Sequence, residues 1–192
     1  MSEDLGRAVV IGASAGAIEA LSVILPALPA DFPAPVLIVV HIPADRGNFL
    51  SPLFAAKCQV SVREAEDKER AEPGTVYFAP SDYHLLVETD GTLALSGDEP
   101  VQHSRPSIDV LFESAADAYG AGLIGVVLTG ANEDGSAGAH SIAVADGTLV
   151  VEDPSRAYAD TMPRAAIRKC PGAHVMPLDA IAPFLISELV RR

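Results

Sequence analysis

One stretch near the N-terminus limits the fold more than any other. Val9-Val10-Ile11-Gly12-Ala13-Ser14-Ala15-Gly16-Ala17 leads into Ile18-Glu19-Ala20-Leu21. An apolar, β-branched run halts at a glycine, a serine follows, and a second glycine opens a helical pattern. This reads as strand, tight turn and helix, the unit from which α/β sheets are assembled. The flanking glycines permit a sharp backbone path and close packing of helix on strand. Ser14 then stands at the C-terminal end of a strand and near a helix N-terminus. Free backbone N–H groups and the helix dipole favour negative charge there, so the position suits a nucleophile.

The rest of the chain repeats the theme. Val36-Leu37-Ile38-Val39-Val40 and Leu123 to Leu128 are continuous apolar runs, as expected for strands buried on both faces of a parallel sheet. Residues 16 to 28 and 48 to 57 read as helices. Val60 to Ala65, Val76 to Pro80, His84 to Glu88 and Thr92 to Leu95 are strand-like, and Asp90-Gly91 is a hairpin signal. This middle third reads as an antiparallel excursion. Ile108, Leu111, Phe112, Ala115, Ala116 and Tyr119 recur at helical spacing up to Gly120. A helix over 136–145, a strand over 148–152 and helices over 162–169 and 178–190 follow. The expected fold is α/β, a mainly parallel sheet with helices on both faces and an antiparallel hairpin excursion. It is read as a single domain over residues 1–192.

Composition excludes several classes of function. A formal net charge of −13 argues against nucleic acid or an anionic membrane as the partner. Cys58 and Cys170 make no disulfide framework and have no zinc-type spacing around them. No metal and no cofactor is therefore expected. The first seven residues are mostly polar and unlike a signal peptide, and no apolar run reaches the length of a membrane span. The expected location is the cytoplasm, without membrane insertion.

In parallel sheets, sites lie at the C-terminal ends of strands. That rule singles out Ser14, His41 after the second strand, and Asp134 in the loop Thr129-Gly130-Ala131-Asn132-Glu133-Asp134-Gly135. Serine needs a base to become nucleophilic, histidine titrates near neutrality, and a carboxylate orients the imidazole. Together they have the layout of a hydrolytic triad. Taken singly, His41 also suits a strand cap and Asp134 a turn. The order Ser, His, Asp differs from that of the α/β-hydrolases. A nicotinamide oxidoreductase is disfavoured, because Gly-x-Gly-x-x-Gly is absent and His41 stands where an acidic ribose ligand belongs. His84, His103, His140 and His174 are read as structural or surface residues.

Several landmarks together resemble one family. Gly12-Ala13-Ser14-Ala15-Gly16, Val40-His41-Ile42-Pro43, Val76-Tyr77-Phe78-Ala79-Pro80, Arg105 to Phe112, Leu128 to Gly135 and Met162-Pro163-Arg164-Ala165-Ala166 look like the catalytic domain of the chemotaxis receptor methylesterase, CheB. They occur in that family's order over roughly residues 7 to 188. The resemblance implies hydrolysis of γ-glutamyl methyl esters on cytoplasmic domains of methyl-accepting chemotaxis receptors, and deamidation of receptor glutamines. It places Ser14 on the nucleophile, His41 on the base and Asp134 on the orienting carboxylate. The backbone N–H groups of Ala15 and Ala131 are candidates for the oxyanion hole.

The chain departs from the family at Ala15, Ala17, Ala131 and Asn132, where threonine, glycine and a Met-Gly pair are usual. These departures motivate the alternative of a non-catalytic module that binds a receptor or partner. Only about six residues precede the first strand, so no receiver domain is expected ahead of it, which leaves three expectations: a constitutive enzyme, one controlled by a separate regulatory protein, or a catalytic domain trimmed from a longer chain. An acidic partner surface would have to be met by local arginines such as Arg46, Arg105 or Arg164.

Overall fold

The computed structural model describes residues 5–190. The apolar runs become strands because every residue in them can be buried on one face or the other. Along β1 (Ala8–Ala13), Val9, Ile11 and Ala13 point to one side, and Ala8 and Val10 point to the other. The turn after β1 feeds α1 (Ala17–Ile24), then β2 (Val36–Val40), α2 (Leu50–Ala55), β3 (Ser61–Glu64) and β4 (Thr75–Phe78). A hairpin follows, β5 (His84–Val87) with β6 (Leu93–Ser96). The chain continues through α3 (Ile108–Tyr119), β7 (Leu123–Val127), α4 (Ser136–Val144), β8 (Thr148–Glu152), α5 (Thr161–Lys169), β9 (His174–Met176) and α6 (Leu178–Val190).

Seven of these strands form one sheet in the order β3-β4-β2-β1-β7-β8-β9. Every pairing in it is parallel. Helices α1, α2 and α6 cover one face, with Leu21, Ile24, Phe54, Ile181 and Leu185 in the core beneath them. Helices α3, α4 and α5 and the hairpin cover the other, over Leu85, Ile108, Phe112, Ile142 and Ala166. From β1 the chain steps towards β2, and from β7 it steps away towards β8. The loops leaving β1 and β7 therefore diverge, and the crevice between them is the switch point where ligands of such sheets bind.

Three local features differ from the expectations. The segments 61–64 and 75–78 join the parallel sheet at its edge, and only β5 and β6 are antiparallel. Alternation marks a strand but not its direction. The first helix ends at Ile24 and passes into a 3-10 turn over Leu25–Ala27, because Pro26 has no N–H for the α-helical ladder. The short strand β9 adds an unforeseen edge beside β8.

On the second face α3 and α4 approach closely. Helix α4 presents Gly138 to α3, where an added Cβ would fall 2.4 Å from Phe112 Cβ and 3.2 Å from the Asp109 main chain. Gly138 N–H also donates to Asp109 Oδ1 at 2.7 Å. Gly138→Ala is expected to push the two helices apart at a cost of about 1–3 kcal/mol. That corresponds to a melting temperature lower by roughly 2–10 °C. An unchanged melting curve would mean that the helices tolerate a wider spacing.

Candidate active site

Main-chain hydrogen bonds continue from the sheet into the loops at its C-terminal edge. His41 N donates to Ala13 O at 3.1 Å, Leu128 N to Gly12 O at 2.9 Å, and Ser14 N to Thr129 O at 2.9 Å. The ends of β2, β1 and β7 are thereby held edge to edge, with the three residues singled out from the sequence close beyond them. Gly16 caps α1 with φ of 84°. A Cβ there would lie 2.7 Å from Tyr158 Cβ and 3.1 Å from Thr129 Cγ2, so glycine is required on both conformational and steric grounds. Thr129, to which the sequence reading gave no role, ties three loops together. Its Oγ1 donates to Ala15 O at 2.7 Å and accepts from Ala159 N at 2.8 Å.

Asp134 is fully buried, and four donors converge on its carboxylate. Oδ1 accepts from Ser107 Oγ and Asp109 N, each at 2.9 Å. Oδ2 accepts from Ile108 N at 2.7 Å and lies 2.7 Å from His41 Nε2. Asp134 thus caps the N-terminus of α3 from 26 residues further along the chain, where the helix dipole also favours its charge. Burial alone would raise its pKa. The hydrogen bonds from His41, Asp109 and Ile108 outweigh that and hold the carboxyl below its ordinary value. Local turn formation falls instead to Asn132, whose Oδ1 accepts from Asp134 N at 3.2 Å.

The His41 ring is only 13% exposed. Its Nε2 faces an ionised carboxylate, so Nε2 carries the proton and Nδ1 keeps its lone pair when the ring is neutral. Serine proteases hold the other ring nitrogen, with Nδ1 on the carboxylate. Here Nδ1 lies 3.3 Å from Asn132 Nδ2. Ser14 and His41 line one cleft of about 210 Å³, with Ala17, Ile18, Arg46 and Phe49. Within the described residues Ser14 Oγ makes no hydrogen bond to His41. His41 also lines a second cleft of about 410 Å³, with Pro43, Asp82, His103, Arg105 and Pro106.

Behind Asp134 lies a polar layer that the sequence reading did not anticipate. Buried His84 accepts from Ser107 N through Nδ1 at 3.1 Å and donates from Nε2 to Glu99 O at 3.0 Å. Asp109 accepts from Gly138 N and, at 2.8 Å, from Gln102 Nε2. The only available signal was the stretch Arg105 to Phe112, which gave a family likeness and no individual roles. Burial pushes the Asp109 carboxyl up to about 6; the Gly138 N–H opposes this and the Asp134 charge adds to it. A carboxyl with a raised folded-state pKa contributes stability that is present below its unfolded value and lost as pH rises through about 6. Asp109→Asn abolishes that loss. Its stability relative to the native chain is expected to rise by up to roughly 3 kcal/mol between pH 4 and pH 7. Urea unfolding at the two pH values measures this, and a difference independent of pH would contradict it.

The remaining candidates lie apart from this network. His103, His140 and His174 are exposed. Arg105 is committed to Asp82, Gly97 O and Asp98 O, and Arg164 pairs with Asp160. Arg46 alone of the three arginines borders the Ser14 cleft. Burial pushes both the Cys58 and Cys170 thiols up, away from the reactive thiolate. Among the described residues no cluster of three or more His, Cys, Asp or Glu side chains could hold a metal ion, and no helix is long and apolar enough to cross a membrane.

The arrangement can hold a neutral imidazole with a fixed tautomer beside a serine. It can also stabilise the imidazolium that forms when the ring takes a proton. The N–H groups of Ala15 and Ala131 donate no hydrogen bond among the described residues.

Known proteins are similar to this chain in fold and sequence. The family model described as CheB methylesterase matches residues 9–185. A protein of Leptospira interrogans, provisionally named a protein-glutamate methylesterase/protein-glutamine glutaminase, is 46% identical over 180 residues, covering 94% of this chain and 93% of its own. The protein-glutamate methylesterase/protein-glutamine glutaminase of Bordetella parapertussis is 41% identical over 187 residues, covering 95% of this chain and 53% of its own. This chain therefore spans about half of the Bordetella protein. The crystal structure of the Thermotoga maritima CheB methylesterase catalytic domain superposes with a TM-score of 0.91 at 34% identity, covering 95% of this chain and 98% of that one.

Proposed function

We propose that this chain, which belongs to the CheB methylesterase family, hydrolyses glutamate γ-methyl esters on chemotaxis receptors with Ser14 as nucleophile, His41 as base and Asp134 as orienting carboxylate. The observation that carries the assignment is the 2.7 Å contact of His41 Nε2 with buried Asp134, made beside the cleft that Ser14 lines. Comparison with relatives named as enzymes favours a hydrolase over the non-catalytic module.

Ser14 Oγ adds to the ester carbonyl carbon as His41 Nδ1 takes its proton. Asp134 keeps Nε2–H in place and stabilises the imidazolium. The oxyanion is met by the N–H groups of Ala15 at the turn after β1 and of Ala131 in the loop after β7, and by the N-terminal dipole of α1. His41 returns the proton to the departing methoxide, giving methanol and a glutamyl ester of Ser14. Water, deprotonated by His41, then releases the glutamate carboxylate and restores Ser14. A glutamine side chain follows the same path with ammonia as the leaving group. The proposed partners are the cytoplasmic domains of methylated receptors, and no cofactor takes part.

The test is methanol release from receptor cytoplasmic fragments carrying labelled methyl esters. Release by the native chain that follows enzyme concentration is the expected result. Release no faster than in buffer would contradict the assigned substrate.

A further inference from the structure

The contact between Asn132 and His41 is not part of that mechanism and works against it. Asn132 cannot turn its amide freely. Its Oδ1 accepts the Asp134 N–H at 3.2 Å, so its NH2 group is the one that faces His41 Nδ1, 3.3 Å away. Asp134 holds the proton of the ring on Nε2, so Nδ1 offers a lone pair to that NH2. This is the same lone pair that must receive the Ser14 proton, and Ser14 Oγ makes no hydrogen bond to it in this state. The imidazolium could not coexist with the contact, because Nδ1–H and the carboxamide NH2 would then be two donors facing each other.

From this we infer that Asn132 is a positioning residue that restrains the base: its carboxamide, pinned by the Asp134 main chain, occupies His41 Nδ1 until an arriving substrate displaces it. The inference rests on the reading of Ser14 and His41 as nucleophile and base. One side chain thereby does two opposed things. Its oxygen orders the turn that presents Asp134, and its nitrogen holds the neighbouring ring in a resting state. The site is thus assembled but not engaged, and idle reaction of Ser14 with unrelated esters is suppressed.

Two variants separate these roles, read by the rate at which phenylmethylsulfonyl fluoride modifies Ser14. The small reagent needs no receptor surface. Asn132→Gly removes the donor and is expected to raise the rate about 3- to 10-fold, the effect of losing one ordinary hydrogen bond. Asn132→Asp keeps an oxygen for the Asp134 N–H but replaces the donor with a second carboxylate. That carboxylate holds a proton on Nδ1, and the rate is expected to fall at least tenfold. A purely structural role predicts slowing in Asn132→Gly and little change in Asn132→Asp. Nitrogen NMR of the ring supplies a second readout, with the His41 signals assigned from a His41→Gln variant. Nδ1 is expected to shift towards a free, unprotonated nitrogen in Asn132→Gly.

Labelling of Asn132→Gly no faster than the native chain would overturn the inference, as would labelling of Asn132→Asp at the native rate. Absence of labelling in the native chain and in Asn132→Gly alike would overturn the Ser14–His41 reading and this inference with it. That result is distinct from failure of the inference alone, in which the native chain is labelled.

Discussion

Ser14→Ala is expected to lower receptor methyl-ester hydrolysis by on the order of 10⁵–10⁶-fold while leaving the fold intact. Magnitude and selectivity have separate causes. The loss is large because no other group is placed to add to the carbonyl once Oγ is gone, and His41 and Asp134 then have nothing to activate. The fold is spared because Ser14 is held by its main chain: its N–H donates to Thr129 O, and its carbonyl accepts from Ala17 N. Both bonds survive in alanine, and among the described residues Ser14 Oγ makes no hydrogen bond that would be lost. The stability change should stay within about 0.5 kcal/mol. Retained hydrolysis in a folded variant would remove Ser14 from the mechanism.

Asp134→Asn is expected to cost about 10⁴-fold in rate, and it should also weaken the fold. Each carboxylate oxygen accepts two donors, Oδ1 from Ser107 Oγ and Asp109 N, and Oδ2 from Ile108 N and His41 Nε2. An asparagine has one oxygen for these four. If its NH2 faces His41, it donates to Nε2, moves the ring proton to Nδ1 and removes the base. The Ile108 N–H then also faces a donor, with a cost of about 1–3 kcal/mol for a buried unpaired group. The other orientation would instead break the bonds to Ser107 and Asp109. Rate measurements on the folded fraction, beside thermal melts, separate the two effects. A lower melting temperature with an unaltered rate would make Asp134 only the cap of α3.

The alternation of apolar runs and helical patterns made the sheet legible because such signals are local. The places where those runs stop made Ser14, His41 and Asp134 visible, since strand ends are where a parallel sheet exposes its loops. Strand direction was not legible: residues 61–64 and 75–78 have the composition of strands in either sense, and their parallel pairing is set by their neighbours in space. The strand β9 escaped because it is three residues long, lies at the edge and shows no apolar alternation. The partners of Asp134 escaped for a different reason. Its bonds to Ile108 and Asp109 span 26 and 25 residues, and no local pattern records them. Asn132 stood out as a departure from a family pattern, but only the direction of its amide, fixed by the Asp134 N–H, shows what that departure does.

The most direct measurement is acid quenching during turnover of a methyl-esterified receptor peptide, followed by mass spectrometry of the enzyme. The expected result is a peptide-minus-methanol adduct, located on Ser14 and absent from Ser14→Ala. Methanol release with no adduct in the native chain, continuing undiminished in Ser14→Ala, would contradict a serine mechanism at this site.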